Sequence, residues 1–107
     1  VALRGDEAAL AEGIGTSVAS RASVAAAFGV VRLAAGDPWR AAVIAANIGD
    51  DTDTIGAIAC AMAGACAGIG AFPADRLARV VAASSLDLGP VVDGLLALRM
   101  RQGGGQR

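Results

Sequence analysis

The segment Gly49-Asp50-Asp51-Thr52-Asp53-Thr54 places three carboxylates within four residues. Charges this close repel one another unless something positive neutralises them. Carboxylate and hydroxyl oxygens are hard donors, of the kind that select Mg²⁺, Mn²⁺ or Ca²⁺. An Asp-x-Asp-Thr at the mouth of an apolar helix would let such oxygens converge where the core begins. The same residues have a plainer use: Asp51 or Asp53 can cap the helix, and acids in a first turn suit its positive end. On physical grounds the two readings stand level. A calcium loop of the EF-hand kind does not fit. With Asp51 at loop position 1, Asp53 falls at 3 and Gly56 at 6, but position 5 is Ile55 and position 12 is Met62, where that loop needs ligands.

The elements that must position this segment read as helices throughout. Apolar residues recur at helical spacing, and no stretch alternates strictly between apolar and polar. A short helix is expected around Asp6 to Glu12, followed by a turn at Gly13-Ile14-Gly15-Thr16. Ser17 is a candidate N-cap for a helix running to about Ala35, with Gly36 at its C′ position. Asp37-Pro38 restarts the chain as N-cap and first helical residue, and that helix runs to about Asn47. The fourth helix starts in the acidic segment and reaches about Gly70. Its residues Gly56, Cys60, Gly64 and Gly68 repeat every four positions, a stripe that lets a neighbouring backbone approach closely. A helix apolar all round belongs at the centre of a protein. Pro73 opens a fifth helix to about Ser84, and Asp87 is a candidate cap for a last one, Leu88 to Arg101. The fold class expected is all-α: a compact orthogonal array of helices around a buried Ala/Gly-rich helix. Residues 1–101 form the domain and 102–107 a disordered glycine-rich tail.

Composition narrows the function. The 107 residues allow one small domain, 55% apolar but only 3% aromatic, so its core is built from close backbones rather than rings. A net charge of −1 gives no basic surface for nucleic acid and none for an anionic membrane. There is no histidine, which removes the usual general base and His-based zinc sites. The uncharged run from Ile55 to Phe72 reads as a buried helix of a soluble protein rather than a span, being rich in Gly and Ala. Cys60 and Cys66 lie six apart, about 600° around a helix, so they point in different directions and do not pair. Read as two buried thiols they suit a reducing, cytoplasmic compartment. The start at Val1, with Arg4, Asp6 and Glu7 close behind, is not that of a signal peptide and hints at a fragment. Arg4-Gly5-Asp6 is read as a chance tripeptide. Trp39 is expected to anchor a helix start, and Arg76, Arg79, Arg99 and Arg101 to solvate helix faces.

The run Ala46-Asn47-Ile48-Gly49-Asp50-Asp51-Thr52-Asp53-Thr54-Ile55-Gly56-Ala57-Ile58-Ala59, with Ala63-Gly64-Ala65 after it, resembles the C-terminal signature of the ADP-ribosylglycohydrolase family, of the dinitrogenase-reductase-activating type. That signature reads Gly-Gly-Asp-Thr-Asp-Thr-Ile and leads into a small-residue helix. Ser23-Val24-Ala25-Ala26-Ala27-Phe28 resembles the family's upstream helix, and Phe72-Pro73 its downstream step. The resemblance covers roughly Gly13 to Ala83. It implies that Asp51, Asp53 and Thr54 ligate a pair of Mg²⁺ or Mn²⁺ ions, and that Gly15, Thr16 and Ser17 belong to a loop near the bound ribose. Asp50 departs from the family's second glycine and is read as solvated.

The resemblance also implies a hydrolase that cleaves N- or O-glycosidic ADP-ribosyl bonds, on an ADP-ribosylated protein or a ribosyl small molecule. The family's Thr-Asp-Asp cluster and catalytic Glu belong to an N-terminal portion. No Thr-Asp-Asp occurs here, and neither Glu7 nor Glu12, the only glutamates, has a matching context, so no catalytic residue is assigned. The chain is therefore expected to be the C-terminal part of a larger enzyme, inactive alone, whose partner is either that N-terminal part or another chain. The competing expectation is a non-catalytic helical relative with half a site. If the chain is such a fragment, part of the central helix's surface should be left as an exposed apolar patch or be filled by another chain.

Overall fold

A computed structural model describes residues 7–103. Helix α1 (Glu7–Ile14) begins with an acid that suits its positive end. It absorbs Gly13 and Ile14, which sequence placed in a turn; the turn begins instead at Gly15, whose φ of +86° and N–H to the Ala11 carbonyl (2.9 Å) close the helix. Asp6, the expected helix start, lies outside the described residues, as do the Arg4-Gly5-Asp6 tripeptide and tail residues 104–107. The fully buried Leu10 fastens α1 to α2. It does so across Gly29, where a Cβ would overlap the Leu10 methyls.

Helix α2 (Ser20–Leu33) starts later than its expected Ser17 cap. Ala19 holds the cap position in extended backbone without a side-chain bond, and its carbonyl takes the Ala22 and Ser23 N–H groups. Its core face is Ala22, Ser23, Ala26, Ala27, Val30 and Leu33, the i, i+3, i+4 stripe of an amphipathic helix. The helix closes with the Ala35 N–H on Arg32 O and the Gly36 N–H on Val31 O, the paired bonds of a Schellman ending. Ala35 (φ 53°) therefore takes the left-handed C′ place that sequence gave to Gly36, which falls one residue later. Helix α3 (Pro38–Asn47) begins as expected: one Asp37 carboxylate oxygen accepts from Trp39 N (2.9 Å) and Arg40 N (3.0 Å). At this helix start Pro38 is fully buried, and Trp39 is 36% exposed.

Helix α4 (Thr52–Ala67) packs on both α2 and α3, most extensively on α3. The small-residue stripe explains how closely. A Cβ on Gly56 would stand 3.4 Å from the Ala45 Cβ, and Cys60 Sγ lies 3.7 Å from the Pro38 carbonyl. Gly64 faces the Phe72 ring. Gly68, at φ +80°, ends the helix three residues before the expected Gly70 neighbourhood, and a 3-10 turn (Ile69–Ala71) follows. Ile55, Ala59 and Ala63 form the buried face of α4. Ile55 and Ala59 join Leu10, Val30, Leu33 and Ile44 in a core otherwise made of alanine. The helix is not covered all round: Ala57, Ala61, Ala65 and Cys66 are exposed. The expectation of two buried thiols is corrected accordingly. Cys60 is half-buried, and its burial pushes the thiol pKa up, whereas Cys66 is free and exposed. The angular offset between them leaves only one facing the core.

The chain divides into two compact units, Val1–Ala74 and Asp75–Arg107. The second carries α5 (Ala74–Ser84) and α6 (Gly89–Gly103), neither with a buried residue. Asp87 accepts from the Gly89 N–H (3.0 Å) at the start of α6, which begins one residue after the expected Leu88 and runs two past Arg101. Arg76 pairs with its neighbour Asp75 on the surface (3.4 Å), and Arg79, Arg99 and Arg101 are exposed. The fold is all-α, with six helices and no strand among the described residues. No single helix there is long and apolar enough to cross a membrane; α5 and α6 together reach that length but are bent at 107°.

Candidate functional site

Two consecutive left-handed residues build the acidic loop. After Asn47 ends α3, Gly49 takes φ +87° and Asp50 φ +61°. Asp51 follows at φ −78°, ψ 55°, with the Thr52 N–H on the Asp50 carbonyl (2.9 Å). Those angles and that i→i+2 bond are an inverse γ-turn centred on Asp51. The backbone of Asp51 is then fully used. Its N–H donates to the Thr16 carbonyl (3.0 Å) and its carbonyl accepts from Ile55 N (3.1 Å), the first bond of α4.

The side chains are in the opposite condition. Asp51 occupies the N-cap position of α4 but makes no cap hydrogen bond. No hydrogen bond or ion pair engages the Asp50, Asp51, Asp53 or Thr54 side chains among the described residues. The contrast with Asp37 is direct, because that carboxylate does cap its helix. The γ-turn accounts for the difference: a capping side chain requires extended backbone at the cap, which Asp37 has (ψ 115°) and Asp51 lacks. Asp51 is half-buried, whereas Asp53 and Thr54 stand exposed on the first turn. They share the positive end of α4, which offsets part of their mutual repulsion.

The Gly15-Thr16-Ser17 segment reaches the same place. Thr16 is buried and holds the Asp51 N–H through its carbonyl, so this turn and the acidic loop are adjacent. Gly15 supplies the positive φ that turns the chain out of α1. Ser17 is exposed, and its side chain makes no hydrogen bond among the described residues. The Thr16–Asp51 bond joins residues thirty-five apart in the chain, and no local pattern announces it.

Beside the loop, a cleft of about 430 Å³ opens between α1 and the end of α3, lined by Glu7, Ala8, Ala11, Glu12, Asn47 and Ile48. Sequence context set both glutamates aside, yet the fold brings them to one cleft. Asn47 uses its side-chain N–H₂ on the Val43 carbonyl (2.7 Å), leaving its oxygen available.

The donor set is right in kind for a hard divalent cation: two carboxylates and a hydroxyl, none spent on the protein. It is short in number. Among the described residues no three His, Cys, Asp or Glu side chains are grouped to hold a metal, and Mg²⁺ takes about six oxygens. The remaining ligands would have to be water, substrate or another polypeptide.

The left-handed φ also accounts for Asp50, which is exposed. Glycine adopts that conformation without strain, and Asp is among the few other residues that tolerate it. Asp50→Gly is expected to raise stability by about 0.5 kcal/mol, and Asp50→Val to lower it by about 1–2 kcal/mol. Urea unfolding of the two variants checks this; equal midpoints would show that the turn does not need its left-handed residue.

Comparison with known proteins follows this geometry. Residues 2–104 match the ADP-ribosylglycohydrolase family. The chain is 38% identical over 89 residues to the uncharacterized protein YegU of Escherichia coli (strain K12), an alignment covering 83% of this chain and 27% of that protein. The chain thus spans about a quarter of the length of the curated relative it matches. No solved structure matches it. The match runs through every described helix and through the loop that holds Asp51, Asp53 and Thr54, and the chain belongs to the ADP-ribosylglycohydrolase family.

Proposed function

We propose that this chain is the metal-holding part of a hydrolase that removes ADP-ribosyl groups from a protein or a small molecule by cleaving an N- or O-glycosidic bond. The observation that carries the reading is the state of Asp51 in a chain of this family. Its backbone is locked by Thr16 and Ile55 while its carboxylate is left without a protein partner. A fixed backbone under free oxygens is a preorganised ligand, and capping does not account for it. Asp51, Asp53 and Thr54 would hold two Mg²⁺ or Mn²⁺ ions together with ligands from elsewhere. Bound there, such ions supply a clamp on ribose oxygens and a water of lowered pKa.

The chain's own residues hold the geometry. Thr16 fixes the Asp51 backbone and sets the Gly15–Ser17 turn beside the cation position, where ribose hydroxyls would be bound. The bond to the leaving group breaks through an oxocarbenium-like state that carboxylates stabilise. Glu7 and Glu12 face the neighbouring cleft, and neither is assigned as the acid. With so few ligands, the chain alone should bind Mn²⁺ weakly and turn over no ADP-ribosyl substrate.

Calorimetric titration with Mn²⁺ tests the reading. Weak binding that disappears in Asp51→Asn supports it, and wild-type and Asp51→Asn curves that coincide would exclude a metal at this loop. A non-catalytic helical relative is the second reading, favoured by the absence of a complete ligand group among the described residues. It predicts that a family-length protein carrying this segment binds ADP-ribose without hydrolysing its conjugates.

A further inference from the structure

Helix α1 is held in the first unit at one point. It has eight residues and buries one of them, Leu10. A helix that short is not stable alone in water, so its place depends on where Leu10 is seated. It packs chiefly on α2, and the seat is Gly29. A Cβ there would overlap Leu10 Cδ1 and stand 3.1 Å from Cδ2 and 3.2 Å from Cγ. With the branch carbon itself in the way, and Leu10 fully buried, the side chain would have to back out as a whole.

What α1 positions is the acidic loop. The Ala11 carbonyl takes the Gly15 N–H (2.9 Å), Gly15 turns the chain at φ +86°, and the Thr16 carbonyl takes the Asp51 N–H (3.0 Å). Among the described residues, this is the one backbone hydrogen bond that joins the segment before α2 to the loop between α3 and α4.

That bond decides what the Asp51 carboxylate can do. In its γ-turn (ψ 55°) Asp51 caps nothing. With extended backbone, as at Asp37 (ψ 115°), an N-cap Asp accepts from the second and third residues of its helix, which for Asp51 are Asp53 and Thr54. The two states differ by a rotation in ψ. Because the Asp51 carbonyl is fixed to Ile55 N (3.1 Å), that rotation swings the Asp51 N–H, the group that Thr16 pins.

We infer that Leu10 and Gly29 are positioning residues for the cation site. Seated on Gly29, α1 keeps Thr16 where it holds Asp51 in the γ-turn, and so keeps the carboxylate off its own helix and open to a metal. With α1 off that seat, Asp51 relaxes to extended backbone and caps α4. The binding consequence rests on the metal reading of this loop; the backbone consequence stands without it.

Gly29→Ala fills the seat and Leu10→Ala empties it. Alanine suits the middle of α2 better than glycine, so the first variant leaves that helix intact, and the second, which adds no overlap, carries the same readings if the first does not fold. In EDTA, amide exchange at Asp51 should speed at least tenfold in both variants relative to Ile44 and Ala45 in the core. By urea unfolding, Asp51→Ala should lower the folded-to-unfolded ratio about fivefold in either variant, the loss of a cap, while leaving that of the wild type nearly unchanged. A merely structural role for Leu10 lowers stability but creates no such dependence on background. Mn²⁺ affinity by calorimetry should fall about fivefold, because the cap competes for the same carboxylate. The proposal is overturned by unchanged protection at Asp51, by equal acceleration at Asp51, Ile44 and Ala45, or by an Asp51→Ala effect that is the same in every background. A wild type that binds no Mn²⁺ sinks the metal reading and leaves the exchange and urea measurements to decide this one. Variants that bind Mn²⁺ as the wild type does, with Asp51 still protected, sink this one and leave the metal reading standing.

Discussion

Ile55→Ala is expected to lower the unfolding free energy by about 3 kcal/mol, from the lost burial of three carbons and the cavity they leave. Ile55 is fully buried and is one of the few large side chains in a core made mostly of alanine. Alanine neighbours have nothing to swing into a void, and the helices already stand as close as Gly56 against Ala45 permits, so collapse around the site is limited. Ile55→Val should cost about 1 kcal/mol. The consequence extends to the acidic loop, because the Ile55 N–H holds the Asp51 carbonyl. A loosened first turn should weaken cation binding at conditions where the variant is still folded. Urea unfolding of the wild type and both variants decides the matter. A loss under about 1 kcal/mol for Ile55→Ala would mean that α4 is not tightly seated on α2 and α3.

Much of this arrangement is legible in the sequence, for physical reasons that differ by element. Asp37-Pro38 announces a helix start because its cap is made within three residues. The Gly56-Cys60-Gly64-Gly68 stripe announces close packing because small residues at one helical spacing have few other uses. Boundaries were less legible where tertiary contact decided them. Ser17 has the chemistry of a cap, but the Thr16 carbonyl is committed to Asp51 and the helix waits for Ala19. Ala35 accepts a left-handed φ next to a glycine better suited to it, because Gly36 is used one step later in the same ending. The acidic segment itself was open between cap and ligand at the level of residue types. What separates the two is a backbone angle at Asp51 and a hydrogen bond from the other end of the first unit, neither of which a local pattern carries. Glu7 and Glu12 show the same limit: α1 is too short to signal what it faces, and only the fold sets both beside Asn47.

In a family-length enzyme carrying this segment, Asp51→Asn and Asp53→Asn are each expected to lower kcat at least about 100-fold under saturating Mg²⁺, since a carboxylate ligand is lost with its shape kept. Stability at Asp51 should not show the loss that a capping role predicts. A carboxylate that caps a helix loses about 1 kcal/mol on replacement by alanine, and Asp37→Ala should show that loss, because its oxygen accepts two N–H groups. Asp51→Ala should change stability by less than about 0.5 kcal/mol, because its side chain accepts none and one like charge is removed beside Asp50 and Asp53. The pair of measurements therefore separates the two uses of the same residue type. Large loss of turnover with unchanged stability at Asp51, beside lost stability at Asp37, is the pattern of a ligand and a cap. If Asp51→Ala instead destabilises the chain as much as Asp37→Ala does and leaves turnover intact, the loop is a helix start and the metal assignment falls with it.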